Sequence, residues 1–338
     1  MSALQISWFG LIGVLLAGYI VLDGFDLGVG FWYLFTKKDA DRRALLSSIL
    51  PYWDGNEVWL LTGGGAVFAA FPEVYATVFS GLYLALMLVL FALIFRAVSI
   101  EFRNQSDAPT WRGAWDVAFA LGSVVPALLF GVAAGNILRG LPIDAFGEYT
   151  GTFFTLLNPY SLLVGVTGLA MFATHGALFA AMKTDANLSG RLLKRAEISW
   201  VLYLVLFVVS AVATVLTQPQ AMVNFGNVKI LWALPAAALL AILAIGHFAY
   251  RRAVLNAFLA SSAAMIAIIA TMAASLFPRM VPALGNPANS LTIVNASSSP
   301  LTLKTMLVLA LVGVPIVLVY TVWVHRTFRG KVGDEGSY

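Results

Sequence analysis

The chain has no cysteine, which at once removes disulfides, thiolate metal ligands and thioether-linked haem. Histidine is scarce, with three in 338 residues, and charged side chains make up only 11% against about 25% in soluble domains. That is too little charge to clothe a water-soluble fold of this length, and 60% of the residues are hydrophobic. The expected fold class is an all-α polytopic membrane protein. A net charge of +4 could suggest an anionic polymer as partner, but the basic residues are scattered through short loops with no sustained patch, which argues against nucleic acid. No glycine-rich phosphate loop, Ser-His-Asp arrangement or metalloprotease motif is present, so no catalytic residue is assigned and the chain is not expected to be a catalyst alone.

A crossing needs about 20 apolar residues. That rule places spans near 8–35, 49–70, 76–97, 115–136, 159–182, 198–217, 229–250, 253–277 and 305–325, nine transmembrane helices in a single integral-membrane domain over 1–338. The opening "MSALQISW" has no Lys or Arg, and the apolar run after it is longer than the core of a cleaved signal, so it is expected to remain as the first span. Span 49–70 is the least apolar, and its Gly63–Gly65 run is expected at a close helix contact. With the N-terminus outside and the C-terminus cytoplasmic, sixteen of the 20 Lys and Arg fall in inner loops, Arg96 and Arg103 among them. Only Arg139, Lys229, Arg279 and Lys304 lie outside.

Against this background the acids stand out. Asp23 and Asp26 lie within the first span, in "VLDGFDLGVGF", and Asp54 and Glu57 lie in the inner half of the second, in "PYWDGNEVW". Each pair is spaced i, i+3 and shares a helix face. The two spans are joined by the short basic stretch "TKKDADRR", so the pairs are expected to meet as antiparallel neighbours. An acid at the centre of a spanning helix costs about 2.5–3.5 kcal/mol, so four carboxylates there would share protons rather than hold four charges. A cluster of that kind suits a proton entry path from the cytoplasm. The plainer reading makes Asp54 a helix cap and leaves Asp23 and Asp26 hydrogen-bonded across a glycine-rich contact. A metal held by these oxygens alone would have to be a hard cation, and none is assigned. His175, His247 and His325 are read as polar residues near the membrane interface, and no pocket is expected that would make one an axial haem ligand.

Five ordered motifs carry a family resemblance: "DGFDLGVG", "PYWDGNEVWLLTGGGAVFAAFP", "TWRGAWDVAFALGSVVPALLFGVAAGN", "LLNPYSLLVG" and "NSLTIVNASSSPLTL". Together they resemble subunit II of the bd-type quinol oxidases, and the likeness runs through nearly the whole chain. The resemblance implies a respiratory complex of the bacterial cytoplasmic (inner) membrane that oxidises quinol and reduces dioxygen to water. It draws protons from the cytoplasm without pumping. Two b haems and one d haem would belong to the partner, subunit I. This chain would bind no cofactor beyond a possible structural quinone or lipid, and a small single-helix subunit could attach.

Carried over residue by residue, the resemblance makes Asp54 an acid of the proton path and Asp26 a partner in or near it. Trp59 would stand at the mouth of a lipid-facing oxygen route. Some relatives carry Gln where Glu57 stands, and the segment around "TQPQAMVNFGNVK" is shorter than in some members. A proton-coupled secondary transporter is the rival reading, although no inverted repeat is apparent. A purely structural scaffold is the third.

Overall fold

The computed structural model describes residues 1–332. Thirteen helices carry the described chain: α1 (Ala3–Leu34), α2 (Asp39–Ile49), α3 (Trp53–Ala70), α4 (Pro72–Gly81), α5 (Tyr83–Phe102), α6 (Pro109–Arg139), α7 (Phe153–Leu156), α8 (Pro159–Lys183), α9 (Ala186–Thr217), α10 (Pro219–Asn227), α11 (Ala233–Tyr250), α12 (Val254–Leu276) and α13 (Pro300–Thr327). Eight of them are long and apolar enough to cross a membrane: α1, α5, α6, α8, α9, α11, α12 and α13, with α5 and α11 extended by short 3-10 turns. The α3 segment, 18 residues with Asp54 and Glu57 near its start, falls outside that group by composition but packs along α1 and α13. With 32 residues, α1 is about 48 Å long, well beyond the roughly 30 Å of a hydrocarbon core, so its ends reach the headgroup regions.

The start of α1 is fixed locally. Ser2 Oγ accepts from the Gln5 amide at 3.3 Å while Gln5 Oε1 accepts from the Ser2 amide at 2.8 Å, a reciprocal cap that satisfies two otherwise free donors. Helix α8 is the centre of the bundle, with 61% of its most apolar stretch buried, whereas α13 has only 6% buried and presents its apolar surface outward. The tightest crossing joins α1 to α8 at Gly28 and Gly176. A Cβ on Gly28 would lie 1.9 Å from the Phe172 carbonyl oxygen, so only glycine permits this approach.

The two ends of the bundle differ in chemistry. At one end Arg42 and Arg103 reach Asp116, Arg191 reaches Asp41, and Lys183 Nζ donates to the Phe328 carbonyl at 2.7 Å, which gathers the termini of α1, α5, α8 and α13 with the starts of α2, α6 and α9. At the other end the segment 278–304 folds over the helix termini as a small hairpin, β1 (Arg279–Val281) with β2 (Leu291–Thr292). It is anchored where Ser298 N and Oγ donate to the Ala70 and Ala69 carbonyls and Trp8 Nε1 donates to the Leu303 carbonyl.

Several expectations need correction. The stretch "TKKDADRR" is no simple loop: residues 39–49 form α2, an amphipathic helix that buries Leu45, Leu46 and Ile49. The span expected at 76–97 is instead α4 followed by α5, broken at Leu82, so the crossing helix runs five to seven residues further along the chain. The Gly63–Gly65 run is not a tight contact, since a Cβ on Gly63 would meet nothing closer than 3.8 Å and one on Gly64 or Gly65 nothing within 4 Å.

Candidate functional site

Arg96, on α5, is fully buried, and three carboxylates converge on it. Its Nη2 lies 3.1 Å from Asp23 Oδ1 and 3.9 Å from Asp26 Oδ2, and its Nη1 lies 3.4 Å from Asp23 Oδ2 and 3.2 Å from Glu57 Oε1. Asp23 and Asp26 are also fully buried, while the Glu57 side chain is 23% exposed. Arg96 arrives there because α5 and α6 approach closely at Gly122, where a Cβ would come within 2.8 Å of the Arg96 backbone and Cβ. From α3, Asn56 Nδ2 donates to Asp26 Oδ2 at 2.8 Å and to the Leu22 carbonyl at 3.1 Å, fixing α3 against α1. Asp26 Oδ1, Arg96 Nε and the hydroxyl of Tyr19, one turn before Asp23, are buried without a partner among the described residues.

The geometry decides what such a group can do. With all three carboxylates ionised, one guanidinium leaves the group two charges short of neutrality in a medium where an unpaired ion is costly. Protons are the simplest counter-charge, so the group can hold and release them. None of its members carries electrons.

Asp54 stands apart from this cluster. It is exposed on α3, one turn before Glu57, and has no ion pair or side-chain hydrogen bond with the described residues. The expectation that four acids meet is therefore corrected: Asp23, Asp26 and Glu57 come together around a cation, and Asp54 is exposed at the start of α3. Trp59 is buried, its ring seated over Gly18, where a Cβ would fall 2.4 Å away. It walls an apolar groove of about 310 Å³ between α1, α3 and α13, with Trp8, Leu15, Met306 and Val314 among its neighbours.

Sequence reasoning missed a second charged cluster at the charge-rich end. Asp116 accepts from Arg103 Nε at 2.6 Å, Arg42 Nη1 at 2.5 Å and the Tyr33 hydroxyl, while Arg103 Nη2 donates to Asp39 at 2.5 Å. The Arg103 hydrogen bond holds the Asp39 carboxyl below its ordinary range. An acid within two turns of a span's start, in "TWRGAWD", was the available signal.

The three histidines stand on three different helices. His175 is not interfacial as expected but fully buried, with Nδ1 3.0 Å from Ser261 Oγ, Nε2 3.0 Å from the Val21 carbonyl, and its ring stacked on Phe258. His325 packs on Tyr52 with its Nδ1 on the Thr321 carbonyl, and His247 is exposed on α11. Neither the buried ring, with both nitrogens engaged, nor the other two line the described cavities. Among the described residues no group of three or more His, Asp or Glu is arranged for a metal ion.

A family model described as cytochrome bd terminal oxidase subunit II matches residues 4–328. The chain belongs to this family. It is 41% identical to a probable cytochrome oxidase subunit 2 of Haemophilus influenzae, with 97% of this chain and 95% of that one covered. Identity is 39% to the cytochrome bd-I ubiquinol oxidase subunit 2 of Escherichia coli K12, covering 99% and 96%. For the cytochrome bd ubiquinol oxidase subunit 2 of Bacillus subtilis it is 35%, covering 99% and 98%. The structure of bd oxidase from Geobacillus thermodenitrificans superposes with a TM-score of 0.74 over 97% of this chain and 99% of that one, and at 17% identity it shows the shared fold. Family membership and eight apolar helices make the chain a multi-pass protein of the bacterial inner membrane and a subunit of a respiratory quinol oxidase complex.

Proposed function

We propose that this chain is the haem-free subunit II of a quinol:dioxygen oxidoreductase and supplies protons from the cytoplasm to a haem-bearing subunit I. The observation that carries the reading is the buried Arg96 with Asp23, Asp26 and Glu57 around it, one helical turn from the outward-facing Asp54. In the assembly the haems of subunit I carry electrons to dioxygen. The residues here take up protons from the cytoplasm, hold them on Glu57 and the Asp23–Asp26 pair beside a fixed guanidinium, and release them to subunit I by way of the exposed Asp54. No complete active site lies within this chain.

The chain crosses the membrane nine times in this reading, α3 being the ninth span, with the N-terminus outside and the charge-rich end in the cytoplasm. The excess of Lys and Arg at that end supports the orientation. The apolar outer face of α13 suits a surface that subunit I covers. The groove at Trp59, almost purely apolar and walled in part by α13, suits passage of dioxygen toward the partner.

The proton role is tested by Asp54→Asn and Asp26→Asn in the assembled complex. Quinol-driven oxygen consumption should fall at least tenfold in each while haem content stays at the wild-type level. Unchanged turnover in both variants refutes it. Because the chain lacks cysteine, a single Lys38→Cys reports sidedness: a membrane-impermeant maleimide should label it only in inverted vesicles. Copurification of a haem-bearing partner separates the oxidase reading from an independent proton-coupled transporter.

A further inference from the structure

At the charge-rich end, a crevice of about 240 Å³ opens between the end of α1, the start of α2 and the first turns of α9, lined by Phe35, Lys37, Lys38, Asp41, Arg191 and Arg195. Its cations are not equivalent. Arg191 is matched by Asp41, with Nη1 and Nη2 each 2.9 Å from a carboxylate oxygen. Arg195 meets no carboxylate among the described residues: Nη1 donates to Thr36 Oγ1 at 3.1 Å and Nη2 to the Phe35 carbonyl at 3.0 Å, with the guanidinium 5.4 Å from the centre of the Trp32 ring. Those contacts fix its position and leave its charge uncompensated. Lys37 and Lys38, both exposed on the rim, form no ion pair with a described residue either. The crevice thus holds a formal excess of three positive charges around a concave, pre-positioned guanidinium.

The surroundings identify the class of anion. Leu34 and Phe35 at the end of α1 are 47% and 53% exposed, and Ile198 and Leu202, one and two turns beyond Arg195 on α9, are 70% and 52% exposed. A cationic cup at the level where spans end, continuous with an apolar strip running into the bilayer, matches a molecule with a phosphate at one end and acyl chains at the other. We propose that this crevice binds the phosphate headgroup of an anionic phospholipid, with Lys37, Lys38 and Arg195 around the phosphate and an acyl chain along Ile198 and Leu202. Positive loop charge alone does not make such a site: Arg251 and Arg252, in the turn between α11 and α12, are both exposed and line none of the described cavities. The inference rests on the proposed orientation only for which leaflet supplies the lipid, and maleimide labelling at position 38 reads that separately.

The test is native mass spectrometry of the assembled oxidase, purified in mild detergent and supplied with phosphatidylglycerol, with phosphatidylcholine or with inorganic phosphate. The wild-type complex should retain one phosphatidylglycerol that a Lys37→Gln/Lys38→Gln variant binds about thirtyfold more weakly, on the basis of the usual attraction per basic residue near a membrane surface. Arg251→Gln/Arg252→Gln, with the same charge removed, should retain it, and phosphatidylcholine should not replace it. Equal retention by the 37/38 variant overturns the assignment, as does equal loss in the 251/252 variant. So does occupancy by inorganic phosphate in place of phosphatidylglycerol, which would make the crevice a site for a free anion. Both variants should melt at the wild-type temperature in detergent without lipid, which separates lost binding from lost folding.

Discussion

Replacing Arg96 by Gln is the sharpest perturbation of the buried cluster. The guanidinium donates to Asp23 Oδ1, Asp23 Oδ2 and Glu57 Oε1 at 3.1, 3.4 and 3.2 Å, and approaches Asp26 Oδ2 at 3.9 Å. A glutamine amide is shorter and uncharged, so at best it replaces one of these bonds and leaves three carboxylates without a counter-ion. Breaking a buried ion pair by removing one partner typically costs about 3–5 kcal/mol, most of it from the stranded charge. The single variant should therefore unfold earlier by that amount. The double variant Arg96→Gln/Asp23→Asn, which also removes the carboxylate that accepts two of the three guanidinium hydrogen bonds, should recover at least half of the loss. Arg96→Lys should fall between them, because an ammonium restores the charge but not the fork. The assay is thermal or denaturant unfolding of the assembled complex in nanodiscs, with haem absorbance followed in parallel. If Arg96→Gln melts with wild type, or if the double variant is no better than the single, the carboxylates do not depend on this cation and the account of the cluster is wrong.

Other expectations follow from the same geometry. Gly28→Ala would drive a Cβ into the Phe172 carbonyl at 1.9 Å; with backbone on both sides unable to yield, it should destabilise by about 1–3 kcal/mol and lower the yield of assembled complex. Gly65→Leu would partly fill the groove beside Trp59, and the apparent KM for dioxygen should rise while turnover at saturating dioxygen stays unchanged; an unaltered KM would exclude this groove as the oxygen route. For Asp39, whose carboxyl Arg103 holds below its ordinary range, the ionised form is favoured by folding. Its contribution is present above the unfolded value of about 4 and is lost as pH falls through the lower folded value. With the side chain 43% exposed, that contribution should stay under about 1 kcal/mol, so Asp39→Asn should lower the melting temperature slightly at neutral pH and not at all in strong acid.

Much of the architecture was legible because lipid imposes a simple rule on sequence. Helices must be long and apolar, and eight of the nine expected stretches correspond to helices that meet that requirement. What escaped were elements that do not face lipid. Helix α2 reads as polar because only one side of its 11 residues is buried. The hairpin in 278–304 depends on hydrogen bonds to Ala69 and Ala70, over 200 positions away, which no local pattern encodes. The two acids of "DGFD" and Glu57 were placed in one neighbourhood by helix period and loop length alone, and they do meet there. Asp54 was assigned to the same interior by that logic. It faces out because α3 begins only at Trp53, and the first turn of a helix at a bundle's rim is free to point away from its neighbours.

Arg96 shows most clearly why the rest was hidden. An apolar run fades, in any sliding average, near the first strong charge, so the expected span 76–97 puts Arg96 at its inner end, counted with the inner-loop cations. The helix in fact starts at Tyr83, after α4 turns at Leu82, and continues to Phe102, which carries Arg96 into the bundle by more than a turn and a half. Sixteen inner basic residues then become fifteen with a buried sixteenth, and the orientation argument survives because fifteen against four is still lopsided. Four acids in the first two spans raise the question of what offsets their cost. A cation was the simplest answer, and the nearest helix-borne candidate in the sequence was the one already assigned to the loops. In a chain with so few charges, acids inside a span call for a search of the neighbouring span ends for an arginine, because a guanidinium and its carboxylates can enter lipid together far more readily than any of them alone.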